Sequence, residues 1–162
     1  MIDAFKSRYQ RHFSGPLPIF IPEAVIQAVQ PVQQDFNFEG YYAPTILFQD
    51  PYSANPKTKA LGEPMIYHKL MYEKPFDLSC QWSGAMPITT EGSLNALCFI
   101  TKNILAIVQE TQSTIDWHNQ YLILPLERDL PLVRPGQKIA ISFDYAAGAP
   151  LSALRPVLSG PQ

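Results

Sequence analysis

The sequence is short of several residue types, and each shortage excludes a class of protein. Its 162 residues include only eight glycines, and no two of them stand close enough to form a G-x-G or P-loop turn. A glycine-rich loop around nucleotide phosphates is therefore excluded. Only 16% of the residues are charged, and 12 Lys and Arg against 14 Asp and Glu give a net charge of -2. This balance argues against a disordered charged chain and against a polybasic protein that binds nucleic acid.

Metal ligands and nucleophiles are also scarce. The two cysteines, Cys80 and Cys98, are too far apart for a metal-binding pair, and none of the three histidines stands in a His-x-x-His pattern. Both cysteines lie in apolar runs, so we interpret them as small buried residues, with a disulfide as the alternative. No G-x-S-x-G sequence is present. The sequence therefore predicts no metal site and no catalytic residue.

Long apolar runs are missing as well. No run approaches the ~18 residues of a membrane span. Met1 leads into Lys6, Arg8 and Arg11 rather than into the apolar stretch of a secretion signal. We therefore expect a cytoplasmic protein that does not bind membranes.

Proline, by contrast, is abundant, with 16 residues. Because proline has no backbone N–H, it interrupts helix interiors and central strands, which argues against a helical bundle. One helix is nevertheless predicted over residues 1–13, where Ile2, Phe5, Tyr9 and Phe13 recur at spacings of three and four. The glycine and prolines that follow end it.

The rest of the chain predicts short strands. They cover residues 19–21, 25–29, 65–71, 76–82, 86–90, 94–101, 104–109, 121–126 and 137–145. In the last of these, Ile139, Ile141, Phe143 and Tyr145 alternate with small or polar residues, which is the period of a strand with one buried face.

Predicted turns separate these strands at hairpin spacing. They are Glu91-Gly92-Ser93, Lys102-Asn103 and Pro135-Gly136. Six or more short strands connected in this way predict a mainly β fold, an antiparallel β-barrel or sandwich, with residues 1–162 as one domain.

Residues 33–64 do not fit the strand pattern and form a long irregular segment. This segment contains six aromatic side chains: Phe36, Phe38, Tyr41, Tyr42, Phe48 and Tyr52. Long irregular segments usually have a function or a partner, and aromatic residues are enriched at interfaces. We interpret the segment as an assembly arm that contacts a protein partner or a second copy of the chain. The alternative is a loop that packs its aromatic residues on its own barrel.

A second candidate site is the polar loop 113–120, which contains Asp116, Trp117 and His118. An indole beside a carboxylate and an imidazole suits a cationic or planar ligand. We therefore interpret these three residues as a ligand- or substrate-facing loop. The alternative is that Trp117 packs into the barrel while Asp116 caps the turn.

The order of these features resembles the C-terminal β-barrel domain of the protein arginine methyltransferases. The resemblance covers nearly the whole chain and includes a stretch, LPLERDLPLVRPGQ, similar to the one before the family's final long strand. Its other parts are the N-terminal helix, Ile21-Pro22, the irregular segment ending at Glu63-Pro64, the hairpin at 91–99 and the Trp117 loop.

The resemblance implies a function and also marks what is absent. In that family a separate domain binds S-adenosylmethionine, whereas the barrel helps to bind substrate and to form dimers. The family's Thr-His-Trp loop corresponds to Ile115, Asp116 and Trp117 here, so only the tryptophan matches. The resemblance therefore implies a binding and assembly module that has no cofactor of its own and is not catalytic alone.

Two kinds of partner follow from this interpretation. One is a Rossmann-like methyltransferase domain, through which S-adenosylmethionine would enter the assembly, and the other is a second copy of the chain. The alternative function is a stand-alone β-barrel that self-associates or binds a small ligand or carbohydrate.

Overall fold

The fold is mainly β, with antiparallel strands and one short N-terminal helix, which confirms the predicted fold class. The computed structural model describes residues 2–53, 55–75, 77–108, 110–117 and 119–159. Its helices are α1 (Ile2–His12) and a short 3-10 helix (Leu151–Ala153). Its strands are β1 (Ala24–Gln34), β2 (Asn37–Phe38), β3 (Tyr41–Tyr42), β4 (Leu47–Gln49), β5 (Thr58–Ala60), β6 (Met65–Met71), β7 (Ser79–Pro87), β8 (Gly92–Val108), β9 (Ser113–Asp116), β10 (Gln120–Val133), β11 (Lys138–Ala146) and β12 (Val157–Ser159).

Helix α1 forms where the apolar spacing predicts it, and contacts made by Phe5 and Lys6 attach it to the rest of the chain. The ring of Phe5 meets that of Phe20 edge-on, with 6.0 Å between the ring centroids. The Lys6 ammonium group donates a hydrogen bond to the Lys74 carbonyl oxygen at 2.7 Å. These contacts matter because a helix of only 11 residues is marginal on its own.

The main sheet is curled and has the strand order β4-β10-β8-β1-β5, with β6 also paired to β1 and β9 to β8. A second sheet has the order β12-β11-β7. Buried residues of both sheets form one core between them. We call the face of the main sheet that meets the second sheet its inner face, and the opposite side its outer face.

The predicted turn at Lys102-Asn103 is wrong. Strand β8 runs without a break through these residues, which pair with Ile26 and Val25 of β1. The strand continues because β1 and β10 flank it and supply backbone hydrogen-bond partners that a local sequence pattern does not reveal.

Other predicted boundaries are corrected. Residues 19–21 lie outside the strands, and the predicted ranges 76–82 and 86–90 meet in the single strand β7, which ends at Pro87. The predicted turn at 91–93 is wrong as well, because Gly92 and Ser93 already belong to β8. The alternation in β11 is confirmed, since Ile139, Ile141 and Phe143 are buried between exposed neighbours. The turn at Pro135-Gly136 is confirmed as well, with Gly136 at a φ of 90°.

The outer face of the main sheet carries a second, smaller core, to which segment 33–64 contributes. Its buried members are Val32, Phe36, Ala96, Cys98 and Ile123. Strands β4 and β5 of the segment pair with β10 and β1, respectively. Phe36 is only 1% exposed, so its interpretation as an assembly residue is wrong. This residue packs on its own sheet, as in the alternative.

Both cysteines are buried and their thiols are free, as the interpretation of small core residues expects. Within the described residues, no helix has the length and apolar character needed to span a bilayer.

Candidate functional site

The loop predicted to face a ligand begins in β9 and presents Trp117 to solvent. The Trp117 side chain is 66% exposed, so the alternative in which it packs into the barrel is wrong. Its backbone N–H donates to the Asn103 carbonyl oxygen of β8 at 3.1 Å, which fixes the start of the loop. The third predicted residue, His118, lies outside the described residues.

Asp116 is held by two neighbouring side chains. The Asn119 amide nitrogen donates to Asp116 Oδ2 at 2.5 Å, and the Lys102 ammonium group lies 3.3 Å from Oδ1. The hydrogen bond from Asn119, together with the contact to Lys102, lowers the pKa of the Asp116 carboxyl group. An ionised carboxylate, paired with Lys102, therefore directly precedes the exposed Trp117 in the chain.

Asn119 also joins this loop to segment 33–64. Its amide nitrogen donates to the Tyr52 hydroxyl oxygen at 3.0 Å, and its amide oxygen accepts the Asn103 N–H at 3.1 Å. Tyr52 is 71% exposed, comparable to Trp117. The structure thus joins one residue of the predicted arm to the predicted ligand-facing loop. We call Tyr52, Asp116, Trp117 and Asn119 the loop patch.

Asp50 shapes the turn that presents Tyr52. Its carboxylate accepts the Tyr52 N–H at 3.0 Å and the Ser53 hydroxyl at 2.8 Å. These hydrogen bonds, first that from the Tyr52 backbone, lower the pKa of Asp50. A short Asx turn therefore sets the position of the exposed phenol.

Three other aromatic residues of segment 33–64 lie on the hairpin formed by β2 and β3. Phe38 is 36% exposed, and the Lys57 ammonium nitrogen lies 4.6 Å from the centroid of its ring. Tyr41 and Tyr42 are 78% and 61% exposed. Phe48, in β4, is also exposed but lies on the inner face opposite Leu122. The predicted arm residues are therefore divided among the outer core, the β2–β3 hairpin, the inner face of the main sheet and the loop patch.

A further exposed surface lies at the N-terminus. Ile19 and Ile21 are 84% and 76% exposed, and Phe5 and Phe13 are about half exposed. A shallow depression of about 400 Å³ lies among them, lined entirely by apolar residues: Ile2, Phe5, Pro18, Ile19, Phe20 and Ile21. We call these residues the N-terminal apolar surface. The helix periodicity indicated part of it, but residues 19–21 were assigned to a strand.

The described residues contain no cluster of three or more His, Cys, Asp or Glu side chains that could bind a metal ion. The sequence did not indicate Lys102 and Asn119 as site residues. Lys102 was predicted to lie in a turn, and no motif distinguishes Asn119 from other polar residues of the loop. In comparisons with known proteins, no family model matches the chain and no curated protein sequence matches it.

Proposed function

We propose that this chain is a binding and assembly module, similar in role to the substrate-binding and dimerisation barrel of a protein arginine methyltransferase. The mainly β fold with one N-terminal helix is the architecture that this resemblance requires. The observation that carries the proposal is the N-terminal apolar surface, which is formed by helix α1 and the residues between it and the first strand.

The N-terminal apolar surface has the character of a protein interface. Its depression is lined by six apolar residues and no charged one. Contiguous exposed apolar patches are typical of surfaces that contact another protein. Burial of Ile19 and Ile21 against a partner would contribute roughly 1.5–3 kcal/mol for each side chain. Burial of these two side chains by a partner therefore favours the assembly over the separate chains.

The loop patch supports a role in recognition rather than in catalysis. The residue at the family's histidine position is Asp116, and its carboxylate is engaged by Lys102 and Asn119. Methyl transfer needs a sulfonium donor held in line with its acceptor. We therefore expect the isolated chain to bind no S-adenosylmethionine, and calorimetric titration of the pure protein with this compound measures that directly.

The assembly proposal is tested by replacing both Ile19 and Ile21 with Ser and measuring association by sedimentation velocity. The wild type is measured alone and with Rossmann-like methyltransferase domains encoded in the same genome. We expect the double variant to weaken the association at least about tenfold, because two apolar side chains lose their buried contacts.

The matched control replaces Ile66 and Leu132, which are each 51% exposed but lie elsewhere on the fold. This control should associate like the wild type. The proposal is wrong if the wild type stays monomeric and binds none of these domains, or if the control weakens association as much as the N-terminal variant.

A second candidate function is self-association through the β2–β3 hairpin, favoured by the exposure of Tyr41 and Tyr42. Deleting the whole segment would also remove the buried Phe36, so substitution is the cleaner test. Replacement of both tyrosines by Ser should dissociate an oligomer formed through this hairpin into monomers. An unchanged oligomeric state would contradict it.

A further inference from the structure

The inner face of the main sheet changes from apolar to polar over two residues along the strands. Residues opposite one another in neighbouring strands share a face. One such row is Val29, Phe99 and Leu122, and the next row towards the β9 end of the sheet is Gln27, Thr101 and Gln120. Gln27 and Thr101 of the polar row are partly buried, whereas Gln120 is exposed. A partly buried polar group is stabilised by a hydrogen-bond partner.

A cavity of about 260 Å³ lies against this polar row, between the main sheet and the segment that follows β11. Its lining residues are Gln27, Phe48, Tyr67, Phe99, Thr101, Gln120, Leu122, Tyr145, Ala146, Gly148, Ala149, Pro150, Leu151 and Leu154. Phe99 is only 5% exposed, whereas Phe48 and Leu151 are 70% and 41% exposed. The cavity therefore has a buried wall and an open rim.

Two hydrogen-bonding groups of the polar row face the cavity without a partner. The Tyr145 hydroxyl donates to Gln27 Oε1 at 2.7 Å, which orients the amide. Within the described part of the chain, neither the Gln27 amide nitrogen nor the Thr101 hydroxyl takes part in any other hydrogen bond. The amide nitrogen can only donate, and the hydroxyl can donate as well as accept, so the two groups together suit an acceptor oxygen.

Among the described residues that line the cavity, none carries a carboxylate, ammonium or guanidinium group. Its two phenols are un-ionised, since burial raises the pKa of Tyr67 and of Tyr145. An ion that entered would lose its hydration without gaining an opposite charge. The cavity therefore discriminates against charged molecules.

We propose that this cavity binds an uncharged, largely apolar small molecule whose carbonyl-type oxygen accepts hydrogen bonds from Gln27 and Thr101. Its volume lies just below the ~300–1,000 Å³ of pockets that bind drug-sized ligands, so the occupant is small. This site is independent of the N-terminal apolar surface and of the loop patch.

The experiment uses 2-acetylnaphthalene, a neutral apolar ketone, as the probe, with binding followed by NMR chemical shifts of the full chain. Thr101→Val removes the hydroxyl but preserves the shape of the side chain. We expect it to weaken binding of the ketone by about three- to tenfold, the effect of one hydrogen bond. Binding of 2-ethylnaphthalene, which has no oxygen, should not change.

A second variant tests the location of the site. Ala149→Trp fills the rim from an exposed position and should weaken binding of both probes by about tenfold or more. Ala147→Trp, at an exposed position two residues away that does not line the cavity, is the matched control and should bind like the wild type.

Three results would overturn the proposal. The first is no saturable binding of the ketone up to its solubility limit. The second is equal binding by the wild type and Ala149→Trp, which would place the probe elsewhere. The third is binding of 2-naphthoate as tight as that of the ketone, which would contradict the preference for uncharged molecules.

Discussion

Cys98 illustrates how position alone sets the chemistry of a residue in this chain. Its side chain is 2% exposed in the core on the outer face of the main sheet, and burial raises the pKa of its thiol to about 12. The thiolate is the reactive form of cysteine, so a thiol with this pKa is inert at neutral pH. Asp116 is the opposite case, a partly exposed carboxylate whose pKa is lowered by the hydrogen bond from Asn119 and by the contact with Lys102.

The raised pKa predicts a loss of stability at alkaline pH. The unfolded thiol ionises near its ordinary pKa of 9.0, whereas the folded thiol stays protonated until about 12. The stabilisation from Cys98 is therefore complete below about pH 9 and is lost as the pH rises from there towards 12. The free energy of unfolding, measured with urea at pH 8 and at pH 10, should fall less between these two pH values for Cys98→Ala than for the wild type. Equal drops would contradict this prediction.

At the scale of elements, the connection between β5 and β6 packs closely on the end of β7. A Cβ atom on Gly62 would lie 2.3 Å from the Pro87 carbonyl oxygen and 3.0 Å from the Pro31 side chain. The nearest atom belongs to the backbone and cannot rotate away. The absence of a side chain at Gly62 therefore allows the connection to approach β7.

Gly62→Ala should consequently destabilise the fold by about 1–3 kcal/mol, because the backbone must shift to accommodate the methyl group. Gly15→Ala is the matched control, since no atom lies within 4 Å of the added Cβ there. Its free energy of unfolding should stay within about 0.5 kcal/mol of the wild type. Urea denaturation measures the free energy of unfolding of both variants. Similar decreases in the two would contradict the close approach at Gly62.

At the scale of the whole molecule, the main sheet has a core on each face. The inner core joins it to the second sheet, and the outer core receives Phe36 from segment 33–64. This segment is therefore part of the fold at Phe36 and exposed to solvent at Tyr41, where the side chain is 78% exposed.

The division within this segment is testable by a pair of substitutions. Phe36→Ala should lower the free energy of unfolding by about 3–5 kcal/mol, because it leaves a cavity in the outer core. Tyr41→Ala should change it by less than about 0.5 kcal/mol. If thermal and urea unfolding instead give equal small losses for both, then Phe36 does not anchor the segment.

Part of the candidate site was accessible from the sequence. The loop containing Asp116 and Trp117 was identified from adjacent residue types, and both lie in the loop patch. The link from Asn119 to Tyr52 joins residues 67 positions apart, so no local pattern contains it. The cavity is hidden for the same reason, since Gln27, Thr101 and Tyr145 meet only through strand pairing and packing of the two sheets.

The sequence by itself determined the class of the fold and the elements whose pattern is local. Helix α1, strand β6 and the alternation of β11 follow from periodicity, and the Pro135-Gly136 turn follows from backbone conformational preference. Tertiary structure alone decided that β8 continues through Lys102, that Phe36 is buried and where the polar row meets a cavity. These features depend on hydrogen bonds and contacts between distant residues, whose free energy arises only when the sheets are assembled.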